Sequence, residues 1–163
     1  MGQQQLLLVI LVTIIVGIAT VVAINTFGTA ADQANIDAVN NDIATLASAA
    51  QGYYMRPGML GGGGREFDGI TFEGLAFPSD EQDDDMTTAR NENGIYILTD
   101  IGGQAFTIEA HPASCDGYSP VLGATGPCEE GDQITAGVGP NTFELDARAA
   151  DIDPDADATG DGT

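Results

Sequence analysis

The chain contains no lysine, and its four arginines (Arg56, Arg65, Arg90 and Arg148) face 25 aspartates and glutamates, giving a formal net charge of −21 in 163 residues. So few cations cannot neutralise phosphates, which excludes nucleic acid as a partner of this surface. Anionic lipid headgroups would repel it as well. Self-repulsion on this scale is tolerated where salt screens it, the Debye length being about 3 Å at about 1 M. The acidity therefore reads as adaptation to a saline medium rather than as a binding face.

Histidine is nearly absent. His111 is the single one, Pro112 follows it, and no serine or cysteine nucleophile is arranged around it. No catalytic residue is assigned, and an enzyme is the least supported class. Carboxylates are so abundant that pairs of them carry no weight for acid–base chemistry. Cysteine is scarce too: Cys115 and Cys128 lie in the Gly/Pro-rich stretch CDGYSPVLGATGPC. A disulfide between them would close a loop of about a dozen residues, worth about 3 kcal/mol in the chain-entropy model, and would fit an oxidising compartment. Two free thiols in a reducing compartment are the alternative. The close cysteine and histidine pairing of a zinc site is missing.

Charge is also missing from the N-terminal run Leu6–Ile24, LLLVILVTIIVGIATVVAI. At about 1.5 Å rise per residue this run spans close to 30 Å, the hydrocarbon thickness of a bilayer. Its orientation cannot be read from basic residues, because none precedes Arg56. A secretory signal peptide is not expected: the leading MGQQQ has no positive charge, the run is too long, and no small-residue cleavage site follows closely. The helical pattern instead continues. From Ala30 onward Ile36, Val39, Ile43, Leu46, Ala50 and Tyr53 recur at three-and-four spacing, while Asp32, Asp37, Asn41 and Asp42 fall off that stripe. The junction Thr26-Phe27-Gly28-Thr29 weakens helix propensity and is a place for a kink. Arg56-Pro57-Gly58 stops the helix. The expected spine covers residues 3–55 and is about 75 Å long.

This layout resembles that of type IV pilins and pilin-like proteins. The stretch Gln5 to Ile24 looks like the start of the pilin helix with Met1 as the first residue, and Gln5 then stands where the family has its glutamate. The sequence differs from the family in having no basic leader and no Gly-Phe junction. The resemblance implies a hydrophobic half-helix packed in a filament core, with Gln5, Leu6, Leu7, Leu8, Ile10, Leu11, Ile14, Ile15, Gly17, Ile18, Val21 and Val22 as assembly residues. It implies an amphipathic half-helix on an antiparallel sheet, with a C-terminal disulfide loop.

In the remainder, Gly61–Gly64 reads as a flexible connector. A phosphate-binding loop is excluded there, since no strand precedes it and no Lys-Ser/Thr follows. Strands are expected at residues 67–73, 94–100, 104–110 and 142–147, the middle two forming a hairpin and the last pairing with 133–137. Ile43, Leu46, Phe72, Ile95, Ile97, Phe106, Ile108 and Phe143 are the expected core. Asp80, Glu81, Asp83, Asp84 and Asp85 are placed in a polar loop. The tail aspartates Asp151, Asp153, Asp155, Asp157 and Asp161 have partial Ca²⁺-loop spacing but lack its central glycine and closing glutamate. A solvated acidic tail is the plainer reading.

The expected fold class is α+β. Residues 1–28 form a hydrophobic membrane or filament-core half-helix, 29–56 an amphipathic half-helix, 57–148 a β-rich head and 149–163 an acidic tail. The expected function is the structural subunit of an extracellular pilus-like filament, inserted in the membrane before assembly. Its partners would be identical subunits and an inner-membrane assembly machinery, and no cofactor is required beyond a possible Ca²⁺. The alternatives are a single-pass anchor for an acidic domain that binds Ca²⁺ or a partner, and a minor pilin-like component of a secretion machine.

Overall fold

The computed structural model of the chain describes residues 2–115, 117–122, 128 and 132–146. It contains one long helix and a six-stranded antiparallel sheet, an α+β architecture. The helix, α1, is Gly2–Met55. The sheet is built from β1 (Glu81–Gln82), β2 (Thr88–Arg90), β3 (Gly94–Thr99), β4 (Phe106–Pro112), β5 (Ile134–Val138) and β6 (Phe143–Asp146), with spatial order equal to chain order. The chain divides into two compact units, Met1–Ala34 and Asn35–Thr163.

In the first unit α1 passes through Thr26-Phe27-Gly28-Thr29 without interruption. The hydroxyls of Thr26 and Thr29 donate to the carbonyls of Val22 (2.9 Å) and Thr26 (3.1 Å), so the weak formers at the junction bond back onto the helix that carries them.

In the second unit α1 supplies the stripe Val39, Ile43, Leu46, Ala47 and Ala50, all buried, with Ile36 and Tyr53 packed at its ends. Their partners are the even-numbered side chains of the sheet: Tyr96 and Leu98 on β3, Phe106, Ile108 and Ala110 on β4, Ile134, Ala136 and Val138 on β5. Each fully buried Ile, Leu or Phe there contributes about 1.5–3 kcal/mol relative to exposure. The odd face carries the buried pair Ile95 and His111, which lie opposite each other across β3 and β4.

Several expectations change. Residues 67–73 do not form a strand. Gly69 takes φ +74° and Ile70 N–H donates to Phe67 O at 3.0 Å, so the segment turns. Phe67, Ile70 and Phe72 can then all point inward, which strict alternation would forbid. Of the acidic residues placed in a loop, Glu81 lies on β1, in register Glu81↔Arg90 and bonded to Arg90 at 3.1 Å, while Asp83, Asp84 and Asp85 stand in the connection from β1 to β2. Ile97 is only half-buried, because β3 turns its even side to the helix. Phe143 lies on the edge strand and is 39% exposed. The other expected core residues are buried.

Nor is the glycine tract a flexible connector. It folds back on the end of α1, with Gly63 N–H donating to Tyr53 O (2.9 Å), Gly64 N–H to Arg56 O (3.0 Å) and Arg65 N–H to Tyr54 O (2.9 Å). These bonds satisfy the helix's terminal carbonyls. A Cβ on Gly63 would collide with the Glu66 carbonyl and the Tyr53 ring, and Gly61 caps a 3-10 turn at φ +73°. Gly63→Ala is expected to cost about 2 kcal/mol of head stability, whereas Gly58→Ala, which meets no atom within 4 Å, is expected to cost almost nothing. Urea denaturation of the two variants compares them directly.

Candidate functional site

The sequence singles out the apolar half of α1, and every residue there is exposed. Gln5, Leu6, Leu7, Leu8, Ile10, Leu11, Ile14, Ile15, Gly17, Ile18, Val21 and Val22 occupy successive positions around the helix, with Leu7 70% and Ile10 50% exposed. Apolar residues surround the whole circumference, so no face is left for water. The segment is long and apolar enough to cross a membrane. Its two threonines are bonded internally: the hydroxyls of Thr13 and Thr20 each donate to a backbone carbonyl one turn back at 2.8 Å. Gly17 and Gly28 have no atom within 4 Å of where a Cβ would stand, so nothing within this chain requires glycine at either place. Each gives up about 1 kcal/mol of helix propensity relative to alanine.

A second constellation, in the head, centres on Asp42. Its Oδ2 accepts from Tyr96 Oη (2.7 Å), Asn93 Nδ2 (2.8 Å) and Asn91 Nδ2 (2.9 Å). Asn91 Oδ1 in turn accepts the backbone N–H groups of Asn93 (2.9 Å) and Gly94 (3.1 Å), shaping the β2–β3 turn. Asn35, two helical turns before Asp42, donates to Asn93 O at 3.0 Å and accepts from Ser114 N–H at 3.1 Å. The network ties α1 to the β2–β3 turn and to the chain after β4 through charge-assisted bonds. Burial, reinforced by the Asp42 carboxylate, pushes the Tyr96 hydroxyl far above the usual phenol range, so it remains a donor at any physiological pH.

Beside this network lies an open cleft of about 450 Å³, lined by Asp42, Pro78, Ser79, Asp80, Asn91, Glu92 and Asn93. The Asp42 oxygen that donors reach is already saturated. Among the described residues no three His, Cys, Asp or Glu side chains converge as metal ligands. The tail aspartates Asp151, Asp153, Asp155, Asp157 and Asp161 lie outside the described residues.

His111 is buried, and its Nδ1 has no hydrogen-bond partner among the described residues. Desolvation holds its pKa below the usual value, so the ring is neutral at pH 7. Cys115 and Cys128 are joined in a disulfide with Cα atoms 5.7 Å apart, and Cys128 is buried near the Pro112 carbonyl. The bridge ties the chain after β4 to the segment that leads into β5.

Asp42, Asn91, Asn93 and Tyr96 were not singled out by sequence reasoning. The signals for them are faint: an acid one position before the buried Ile43, and an Asn-x-Asn-Gly run just ahead of a strand. Compared with known proteins, the chain matches no protein-family model, no curated protein and no solved structure.

Asp42→Ala leaves the buried Tyr96 hydroxyl and two amides without their acceptor and is expected to cost about 3 kcal/mol. Tyr96→Phe removes one donor from a carboxylate that keeps two and should cost about 1 kcal/mol. A double-mutant cycle by thermal unfolding should show coupling between the two positions. His111 makes a separate prediction. Because its folded pKa is depressed, the unfolded chain takes up a proton first as pH falls through about 6.5, and stability declines from there down to the folded pKa. His111→Gln should therefore lose less stability than the wild type between pH 7 and pH 5, in denaturation curves at the two values.

Proposed function

We propose that the chain is the structural subunit of an extracellular, type IV pilus-like filament, assembled by packing of its apolar N-terminal helices. The observation that carries this reading is that α1 continues unbroken from a charge-free, all-round apolar half into the core helix of a folded head. Before assembly the apolar half resides in lipid, where a helix satisfies all its backbone polar groups internally. In the filament it exchanges lipid contact for contact with identical helices. The driving force is then close packing, which small residues favour. Gly17 and Gly28 suit that exchange, since their missing Cβ atoms answer to nothing inside the chain. A non-closing head-to-tail contact repeats into a helical array. The acidic heads form its solvated shell and keep filaments dispersed in salt. No catalysis is assigned to the chain in this role.

With Gln5 where the family carries glutamate, register rests on apolar fit and amide hydrogen bonding rather than on an ion pair. Gln5→Ala should weaken assembly only mildly, whereas Gly17→Leu should strongly reduce filament yield. Electron cryomicroscopy of material sheared from cells is the decisive measurement. Thin filaments with a core of helices matching residues 3–55 are expected. Recovery of the chain only as monomers in membrane vesicles would favour the single-pass anchor instead.

A further inference from the structure

The end of α1 carries a surface unlike the rest of the head. Met55 is 74% exposed, Met59 98% and Leu60 71%, the greatest exposure of large apolar side chains among the described residues outside the first helical half. Arg56 and Arg65, also exposed, flank them. Among the described residues neither has a carboxylate within 4 Å, whereas Arg90 is paired with Glu81. The Gly61–Gly64 cap folds the backbone at Arg65 against the end of α1, through Gly64 N–H on Arg56 O and Arg65 N–H on Tyr54 O.

This is a built surface rather than a loose end. Arg65 O accepts from Gln104 Nε2 at 3.2 Å, and Tyr54 Oη donates to Gln104 Oε1 at 3.0 Å. Arg65 also holds φ +79°, a conformation that would cost glycine nothing but costs an arginine about 1–2 kcal/mol. The helix's own C-terminal dipole favours cations here, yet it gives no reason for three large apolar side chains to stand in water beside them.

We propose that this cap docks on a second copy of the chain, with Arg56 and Arg65 meeting the acidic turn of the neighbour's β1–β2 hairpin. The choice of partner follows from charge. Two copies of a chain at −21 repel everywhere except where a cationic patch meets an acidic one. The β1–β2 turn offers Asp84 and Asp85, both exposed, with Met86 beside them, 37% exposed, to meet the apolar part of the cap. The two surfaces are different parts of one molecule, so the contact is heterologous, the kind that extends into a filament when its rotation does not close a ring. The inference rests on the filament reading and adds to it a head-to-head contact independent of the apolar helices.

The test is made on the full-length chain in its native membrane and filament setting. Arg65→Cys and Asp84→Cys are introduced together and singly, and mild oxidation is followed by denaturing, non-reducing electrophoresis. The double variant should give a ladder of covalent multimers, and neither single variant should. In parallel, Arg56→Glu with Arg65→Glu should lower filament yield about tenfold, and adding Asp84→Arg with Asp85→Arg should restore it. Misfolding could not produce that restoration. Filaments that form without a ladder, or that the second charge swap fails to rescue, overturn the proposed contact while leaving the filament reading intact. A dimer from Arg65→Cys alone overturns it in favour of a cap-to-cap pairing. Monomers in membrane vesicles with no filaments overturn both readings.

Discussion

Burial of the Val39–Ile43–Leu46–Ala50 stripe against Tyr96, Leu98, Phe106 and Ile108 is the contact on which the head depends. A simple antiparallel meander has two faces and two open edges, and only a cover on one face makes it an independently stable layer. α1 provides that cover. Because a helix presents only a stripe to a sheet, its other side stays polar, and Asp37, Asn41 and Thr45 stand there. Asp42 falls at the border of stripe and solvent, where its carboxylate is half-buried. There it gathers the Tyr96 hydroxyl and the Asn91 and Asn93 amides onto one oxygen. Apolar packing sets how strongly helix and sheet adhere, and the carboxylate sets the register at which they do so.

The first half of the same helix obeys the opposite rule. It has no stripe at all, since every side is apolar and every residue is exposed. A surface of that size is stable only against lipid or against other apolar chains. One helix therefore carries two demands, a core on one side for residues 35–55 and apolar surroundings on all sides for the segment before it. The acidity of the chain belongs with this arrangement. Every aspartate, glutamate and arginine lies after Ile24, so the apolar half carries no charge.

Strong local signals were legible and context-dependent ones were not. The apolar run, the three-and-four stripe ending at Tyr53, the stop at Arg56-Pro57-Gly58 and the hairpin around Gly102-Gly103 follow from periodicity and turn chemistry, and all are observed. The pairing of the 133–137 and 142–147 segments was legible for the same reason. The parity of β3 was not: Ile95, Tyr96, Ile97 and Leu98 are all apolar, so composition cannot tell which pair faces the helix. The segment 67–73 alternates like a strand, yet Gly69 turns it, because burying Phe67, Ile70 and Phe72 together outweighs a ladder. The Asp42 network was invisible because its members are far apart in sequence and each is unremarkable alone.

The amino-acid sequence by itself determined the long helix, its change from all-round apolar to one-sided, the α+β class and the acidic surface, because these are matters of composition and period. Tertiary structure alone decided which face of β3 packs inward, that the glycine tract is a close-fitted cap rather than a tether, and that a single aspartate binds helix to turn. It also decided that two arginines and three large apolar side chains share one exposed end of the head. Those outcomes depend on which distant residues meet, and a local pattern holds no information about partners that only folding brings within reach.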